Sequence, residues 1–447
     1  MMAFGKKYVA HLYQHSFVKN VITLQVGSVL GTLIQAGTGV FIARILQPEL
    51  FGIYALAFSL ASLFSIFMAT GVGEGITSIV SGAHARGDQE TIVEAFGFLL
   101  KVAFVVGLII LVGLFFLPTL SNLLYQRHDI GIFAGIVIVA SVISNLFFSI
   151  AQVAFQMERK IKLAAGFIFL DQLTRWGLSL MLVFFGYGIL GAAIGHLMGA
   201  LIMFFVTVFA WNRLRSSDTL IPTLGEIIKK AKTVSWHRFI RYSFWVALDR
   251  NMATLFSFLP VSLAGIYLVS SDVAFYRVPL GFISLALSLL GPISVMLNIE
   301  FPRLHEENLV KMRANFLYIS LCSFLFALIL TTAAAVVAPF VFKVLYGQSF
   351  MPSAKYVYGF IIYGAVYGLG VGLGPMWRVI NKVKISIFIN LLTLGMGVPL
   401  GLYLIKYYGL WGAVITITLW YTISHLCSFV YLMHYLNKRL PSENLPV

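Results

Sequence analysis

The chain has 447 residues, 60% of them hydrophobic and only 11% charged, against roughly 25% charged in an ordinary globular domain. A water-soluble globule is excluded, and the unit to count is the membrane span of about 20 apolar residues. The formal net charge of +15 then bears on loop placement rather than on nucleic acid, because cationic residues of membrane proteins gather on the cytoplasmic side.

The first twenty residues carry Lys6, Lys7, His11, His15 and Lys19, a stretch too extended and polar for a cleaved signal sequence. Apolar runs then predict twelve helical spans, at 20–44, 50–72, 94–117, 131–155, 161–185, 189–211, 241–267, 274–299, 314–338, 354–379, 384–405 and 410–436. Helix breakers separate them: Gln47-Pro48-Glu49, Gly87-Asp88, Leu117-Pro118, Gly186-Tyr187-Gly188, Ser270-Ser271-Asp272, Gly347-Gln348 and Tyr408-Gly409. Such turns belong at the surfaces, since irregular backbone in lipid leaves polar groups unpaired. Cys322 and Cys427 lie in apolar runs with no CxxC or Cys/His cluster. They read as small core residues, and the sequence implies no disulfide framework, metal or cofactor.

Over these loops the basic residues divide unevenly, with 23 Lys and Arg on the side of the N-terminus and six opposite, namely Arg44, Arg127, Arg277, Lys343, Lys355 and Lys406. Both termini are therefore expected in the cytoplasm. An internal repeat is also visible. Gly188-Ile-Leu-Gly191-Ala192 is echoed 221 residues later by Gly409-Leu-Trp-Gly412-Ala413, and Lys160-Ile-Lys162 by Lys382-Val-Lys384 at an offset of 222. Two copies of six spans share one orientation and are related by an axis along the membrane normal. The expected architecture is an all-α polytopic membrane protein, two parallel six-helix bundles around a central cavity, with an N-terminal lobe at 1–215 and a C-terminal lobe at 241–447. The connecting segment 216–240 mixes Ile227, Ile228, Val234, Trp236 and Phe239 with Lys229, Lys230, Lys232 and Arg238, as an amphipathic helix lying on anionic lipid would.

Charges at membrane depth are costly and mark pairs or cavities. Asp171 and Arg175 sit at i,i+4 in the fifth span, where they can neutralise each other. Asp249 and Arg250 are consecutive, about 100° apart on a helix, so at least one faces water or a ligand. In the first span Gln25, Ser28, Thr32 and Gln35 share a face, which suits either a hydrated passage or helix–helix contact. His196 and Glu74 are further titratable groups near or within spans.

Several segments resemble a known family. Gly39-Val-Phe-Ile-Ala-Arg44-Ile-Leu-Gln-Pro48-Glu-Leu-Phe-Gly52-Ile-Tyr54 is similar to the start of bacterial oligosaccharide flippases, the O-antigen or repeat-unit translocase type within the polysaccharide-transporter branch of the multidrug/oligosaccharidyl-lipid/polysaccharide (MOP) exporter superfamily. Gly82-Ala-His-Ala-Arg86-Gly87-Asp88, Leu248-Asp249-Arg250, Ala274-Phe-Tyr276-Arg277-Val-Pro279, Phe301-Pro302-Arg303-Leu304 and Leu345-Tyr346-Gly347-Gln348 agree with later parts of that family. The resemblance implies an alternating-access transporter carrying a polyprenyl-diphosphate-linked oligosaccharide across the bacterial inner membrane, with no catalysis. Guanidinium groups suit bidentate contact with a diphosphate, so Arg250, Arg175, Arg44 and Arg277 are the substrate-binding candidates, joined by Gln25 and Gln35. Arg44 and Arg277 sit at helix ends near the outer surface, where snorkelling to headgroups is the leading explanation.

Asp171, Asp249, Glu74 and His196 are the candidates for coupling H+ or Na+. Membrane lipids and glycan-synthesis enzymes are the expected partners, and nucleic acid is not. Two alternatives stand beside this reading: an ion-coupled drug or small-solute antiporter of the same superfamily, and a membrane-embedded glycan polymerase or ligase. The second sits poorly with short outer loops. No Walker A motif occurs.

Overall fold

Long apolar runs leave the backbone one way to satisfy itself in lipid, and the chain takes it: among the described residues the structure is helical, with no strand. The computed structural model describes residues 16–66, 72–216, 218 and 220–439. Within its helices the side chains of Gln25, Glu74 and Arg250 lie outside the described set.

In chain order the helices are α1 (Ser16–Ser65), α2 (Val72–Ala85), α3 (Gln89–Gly113), α4 (Leu117–Tyr125), α5 (His128–Met157), α6 (Ile161–Leu182), α7 (Gly188–Arg215), α8 (Leu224–Thr233), α9 (His237–Tyr267), α10 (Ser270–Leu287), α11 (Gly291–Glu307), α12 (Leu309–Val341), α13 (Ala354–Leu369), α14 (Leu373–Val379) and α15 (Val383–Arg439). Eight helical stretches among the described residues are long and apolar enough to cross a membrane. Some exceed what one crossing needs. The 57 residues of α15 would extend about 85 Å if straight, nearly three times the roughly 30 Å hydrocarbon core. The helix breaks at Gly409, at φ 57°, and its arms fold back so that a Cβ at Gly397 would strike the Trp420 indole. Gln47 inside α1 and Gly186 between α6 and α7 break the chain in the same way. Gln47 is not a glycine, and its side-chain amide donates to the Arg44 carbonyl at 2.6 Å.

Elsewhere the breakers act differently from expectation. Pro118 ends nothing; it occupies the first turn of α4, where its missing N–H has no helical partner to lose. The turn falls instead at Gln126, in left-handed conformation.

The described residues divide into two compact units. The first takes the described residues within Met1–Gly39, Phe64–Phe115 and Gly135–Ala247; the second takes those within Val40–Leu63, Phe116–Ala134 and Leu248–Val447. In the first, α6 and α7 form a close hairpin. Gly191, Gly195 and Gly199 recur every four residues and so share one face of α7; a Cβ at Gly195 would meet the Ser179 backbone and one at Gly199 the Arg175 backbone. Small residues at this spacing let membrane helices approach to backbone contact.

The segment expected to lie on lipid is turned into the protein. A capping box between Thr223 and Glu226 starts α8, Ile227 is 0% exposed, and Val234 and Phe239 are buried in the core that holds Phe96, Phe98 and Trp211. Lys230 pairs with Glu94 on α3 at 2.9 Å, and Lys101 donates to the Val234 carbonyl at 2.8 Å. The apolar face was real, and Gly97 supplies the protein surface for it: a Cβ there would crowd the backbone of Lys230 and Ala231.

In the second unit α13 lies on α12 through Gly364 and Gly368, placed against Thr331 and Ala327. Residues 40–63 pack on α9 and α10: Ser59 Oγ donates to the Phe258 carbonyl at 2.6 Å and lies 2.9 Å from Ser262 Oγ. Gly52 lets the backbones touch at Ser270. Cys322 and Cys427 are exposed on α12 and α15, which corrects their expected burial. An apolar thiol is as compatible with a lipid-facing surface as with a core.

Candidate functional site

Three arrangements gather most of the described ionisable residues singled out above. In the first unit Asp171 and Arg175 do meet. Arg175 Nε donates to Asp171 Oδ1 at 2.8 Å, and its terminal nitrogen reaches Ser144 Oγ on α5. Asp171 is 6% exposed, so the guanidinium is committed to a buried carboxylate one helical turn away. His196 faces the same region. Ser179 Oγ donates its hydrogen to the Ala192 carbonyl at 2.8 Å, so the 2.7 Å contact to His196 Nδ1 needs a hydrogen on that ring nitrogen. Trp176 stands edge-on to the imidazole at 4.8 Å. The ring thus bridges α6 and α7 within packed surroundings.

The second arrangement surrounds Arg277. It lies seven residues into α10, about 10 Å along the axis, rather than at an open helix end. Its guanidinium sits 5.3 Å from the Phe258 ring centroid and interacts electrostatically with the hydroxyls of Tyr276, Tyr54, Tyr346 and Tyr363. No carboxylate among the described residues neutralises it. The four tyrosines are buried, Tyr276 at 0% exposure, and the Tyr54 and Tyr276 hydroxyls find no hydrogen-bond partner among the described residues. Aromatic contacts among Phe51, Tyr54, Phe350 and Tyr346 hold the ring positions. A partly buried cation beside unpaired hydroxyl donors, with no carboxylate paired to it, is chemically suited to accept an anion. The sequence showed Arg277 but not this setting, because Tyr54 and Tyr346 are distant in the chain. The periodic tyrosines at 363 and 367 were the available signal.

The third is a cavity of about 290 Å³ lined by Asp249, Ser294, Tyr367, Asn390, Tyr421 and His425, among others. Asp249 lies within charge reach of Arg378, whose Nη1 donates to Asn298 Oδ1 at 3.3 Å. His425 Nδ1 is held by the Val366 carbonyl at 3.0 Å, and Ser424 by Asn390. The cavity therefore presents one carboxylate among neutral oxygen and nitrogen groups.

The remaining described candidates, Arg44 and Gln35, are not brought into these sites. Arg44 is exposed and its Nη1 donates to the Val344 carbonyl at 3.1 Å. Gln35 and Ser28 are exposed on α1, with Thr32 half-buried between them. The side chains of Gln25, Glu74 and Arg250 lie outside the described set.

Comparison with known proteins gives the relationship. Residues 17–305 match the family described as polysaccharide biosynthesis protein. Among solved structures, an inward-facing multidrug resistance MATE family transporter of the MOP superfamily aligns with a TM-score of 0.72 at 16% identity, over 92% of this chain and 96% of that one. The outward-facing structure of such a transporter gives 0.64 at 18% identity, over 94% and 96%. A MOP superfamily transporter from Pyrococcus furiosus, described as having a binding pocket of reverse polarity, gives 0.65 at 17%, over 94% and 96%. No curated protein matches the chain. The TM-scores establish a shared fold, and the sequence match covers well over half of the chain. With its apolar helices, buried charge pair and MOP-type fold, the chain belongs to the polysaccharide biosynthesis protein family of integral membrane proteins.

Proposed function

We propose that the protein is a flippase that moves a polyprenyl-diphosphate-linked oligosaccharide from the cytoplasmic to the outer leaflet of a bacterial inner membrane by alternating access, without catalysing a reaction. Twelve crossings, cytoplasmic termini and a lobe boundary near 216–240 belong to this proposal. The observation that carries it is the setting of Arg277: an unneutralised guanidinium with the unpaired Tyr54 and Tyr276 hydroxyls beside it. A diphosphate would replace the hydration these donors lack, and the fork of the guanidinium matches two phosphate oxygens. Arg250 is a second contact proposed from sequence. Arg175 is less suited to substrate, being bonded to Asp171.

The same proposal assigns Asp249 to ion coupling, H+ or Na+, since a carboxylate in a cavity with Asn390 and Tyr421 supplies oxygen ligands. That cavity also favours a second reading, a cation-coupled antiporter for a small solute. The decisive experiment reconstitutes the purified protein in liposomes with a fluorescent polyprenyl-diphosphate oligosaccharide and follows leaflet transfer under imposed proton and sodium gradients. Transfer by the wild type, its loss in Arg277→Ala and partial retention in Arg277→Lys are expected. No wild-type transfer under either gradient overturns the flippase reading; transfer undiminished in Arg277→Ala removes Arg277 from it.

A further inference from the structure

One cluster in the first unit has no part in the sites above. His84 lies in the last turn of α2, Glu158 follows α5, and Asp218 follows α7, so two loops far apart in sequence converge on one imidazole at a helix end. His84 Nε2 lies 2.8 Å from Asp218 Oδ2 and 3.1 Å from Glu158 Oε1. Each carboxylate is anchored through its other oxygen. Asp218 Oδ1 accepts the Leu220 N–H at 2.8 Å, and Glu158 Oε2 faces Lys160 Nζ at 3.8 Å. The left-handed backbone of Arg159, at φ 56°, makes the tight turn that presents Glu158.

This leaves two carboxylate oxygens aimed at a nitrogen that carries at most one hydrogen. Glu158 Oε1 is buried and makes no hydrogen bond among the described residues. The cluster is thus short of positive charge at its centre. The three ligand atoms lie within 4.8 Å of one another, and tetrahedral zinc with bonds near 2.05 Å needs separations of about 3.3 Å.

We propose that His84, Glu158 and Asp218 bind a divalent cation, Zn2+, with water completing the coordination. One imidazole and two carboxylates neutralise the ion, each through an atom already turned inward, and the two His84–carboxylate separations of 3.1 and 2.8 Å lie close to the spacing that zinc requires. Bound Zn2+ ties together the turns after α2 and α5 and the segment after α7. Lys160 stays on the outer oxygen of Glu158 and does not compete.

The test titrates Zn2+ alone into the chelator-treated full chain in detergent, by calorimetry, with thermal unfolding as a second readout. Saturable uptake of one ion per chain and a Zn2+-dependent rise in Tm, abolished by EDTA, are expected. His84→Ala and Glu158→Gln should each weaken binding by more than about 100-fold, since even outer-shell partners contribute 10- to 100-fold. X-ray absorption of the loaded wild type should show one nitrogen and oxygen ligands without sulfur, an outcome that stands whether or not the variants fold. Absence of saturable wild-type uptake, or uptake unchanged in both variants, overturns the site.

Discussion

Replacing Arg175 with Met leaves the Asp171 carboxylate buried one helical turn below an apolar side chain. The carboxylate is 6% exposed and receives its hydrogen bond from Arg175 Nε at 2.8 Å, so the loss strands a charge rather than removing a contact. Breaking a buried pair from one side costs about 3–5 kcal/mol. Asp171→Leu alone should cost a comparable amount, because the guanidinium would keep only Ser144. The double variant Asp171→Leu/Arg175→Met removes both charges while preserving volume, and replacements of this kind are often neutral or stabilising. The three variants form a cycle whose coupling energy should be about 3 kcal/mol or more, roughly a 150-fold effect on the unfolding equilibrium. Thermal unfolding in detergent reads stability, and the liposome assay reads transfer. Restored stability with retained transfer is the expected result. Additive losses would refute the reasoning, because they would mean that the two groups act independently and that at least one serves water or substrate.

Two further outcomes test packing. Gly195→Leu should separate α6 from α7, because even a Cβ there meets the Ser179 backbone; size-exclusion chromatography should show loss of monodisperse protein, whereas Gly177→Leu, with open space around it, should not. Ile227→Ala, at a 0% exposed position, should lower stability by about 2–4 kcal/mol and speed proteolysis after Lys229 and Lys232, detectable by mass spectrometry; unchanged cleavage would mean that α8 does not dock through this residue.

Fold class was legible because lipid allows few backbone solutions: apolar runs and breakers at Gln47, Gly186, Gly347 and Gly409 identify helices and their ends, and those residues all take positive φ. The Asp171–Arg175 contact was legible for the same local reason, a spacing of four. What lay beyond reach depended on residues distant in the chain. The apolar face around Ile227 has the same periodicity whether it meets lipid or α3, and only Gly97 and Glu94, over 100 positions earlier, decide between them. Arg277 looked like a snorkelling residue because Tyr54 and Tyr346 cannot be placed beside it from sequence. The glycines at 191, 195 and 199 were present as a four-residue ladder but are common enough in apolar helices to carry little weight alone. His84, Glu158 and Asp218 occupy one helix end and two separate loops and share no motif.

The pairing of Asp171 with Arg175 inside a single helix has a bearing on biogenesis. A nascent chain reaches the insertion machinery one helix at a time, and a charge whose partner sits on a later helix must wait, unpaired, for the ribosome to deliver it. Here the partner arrives four residues later, one turn further along α6, so neutralisation precedes the emergence of α7. The glycine ladder of α7 then meets a helix already settled in lipid.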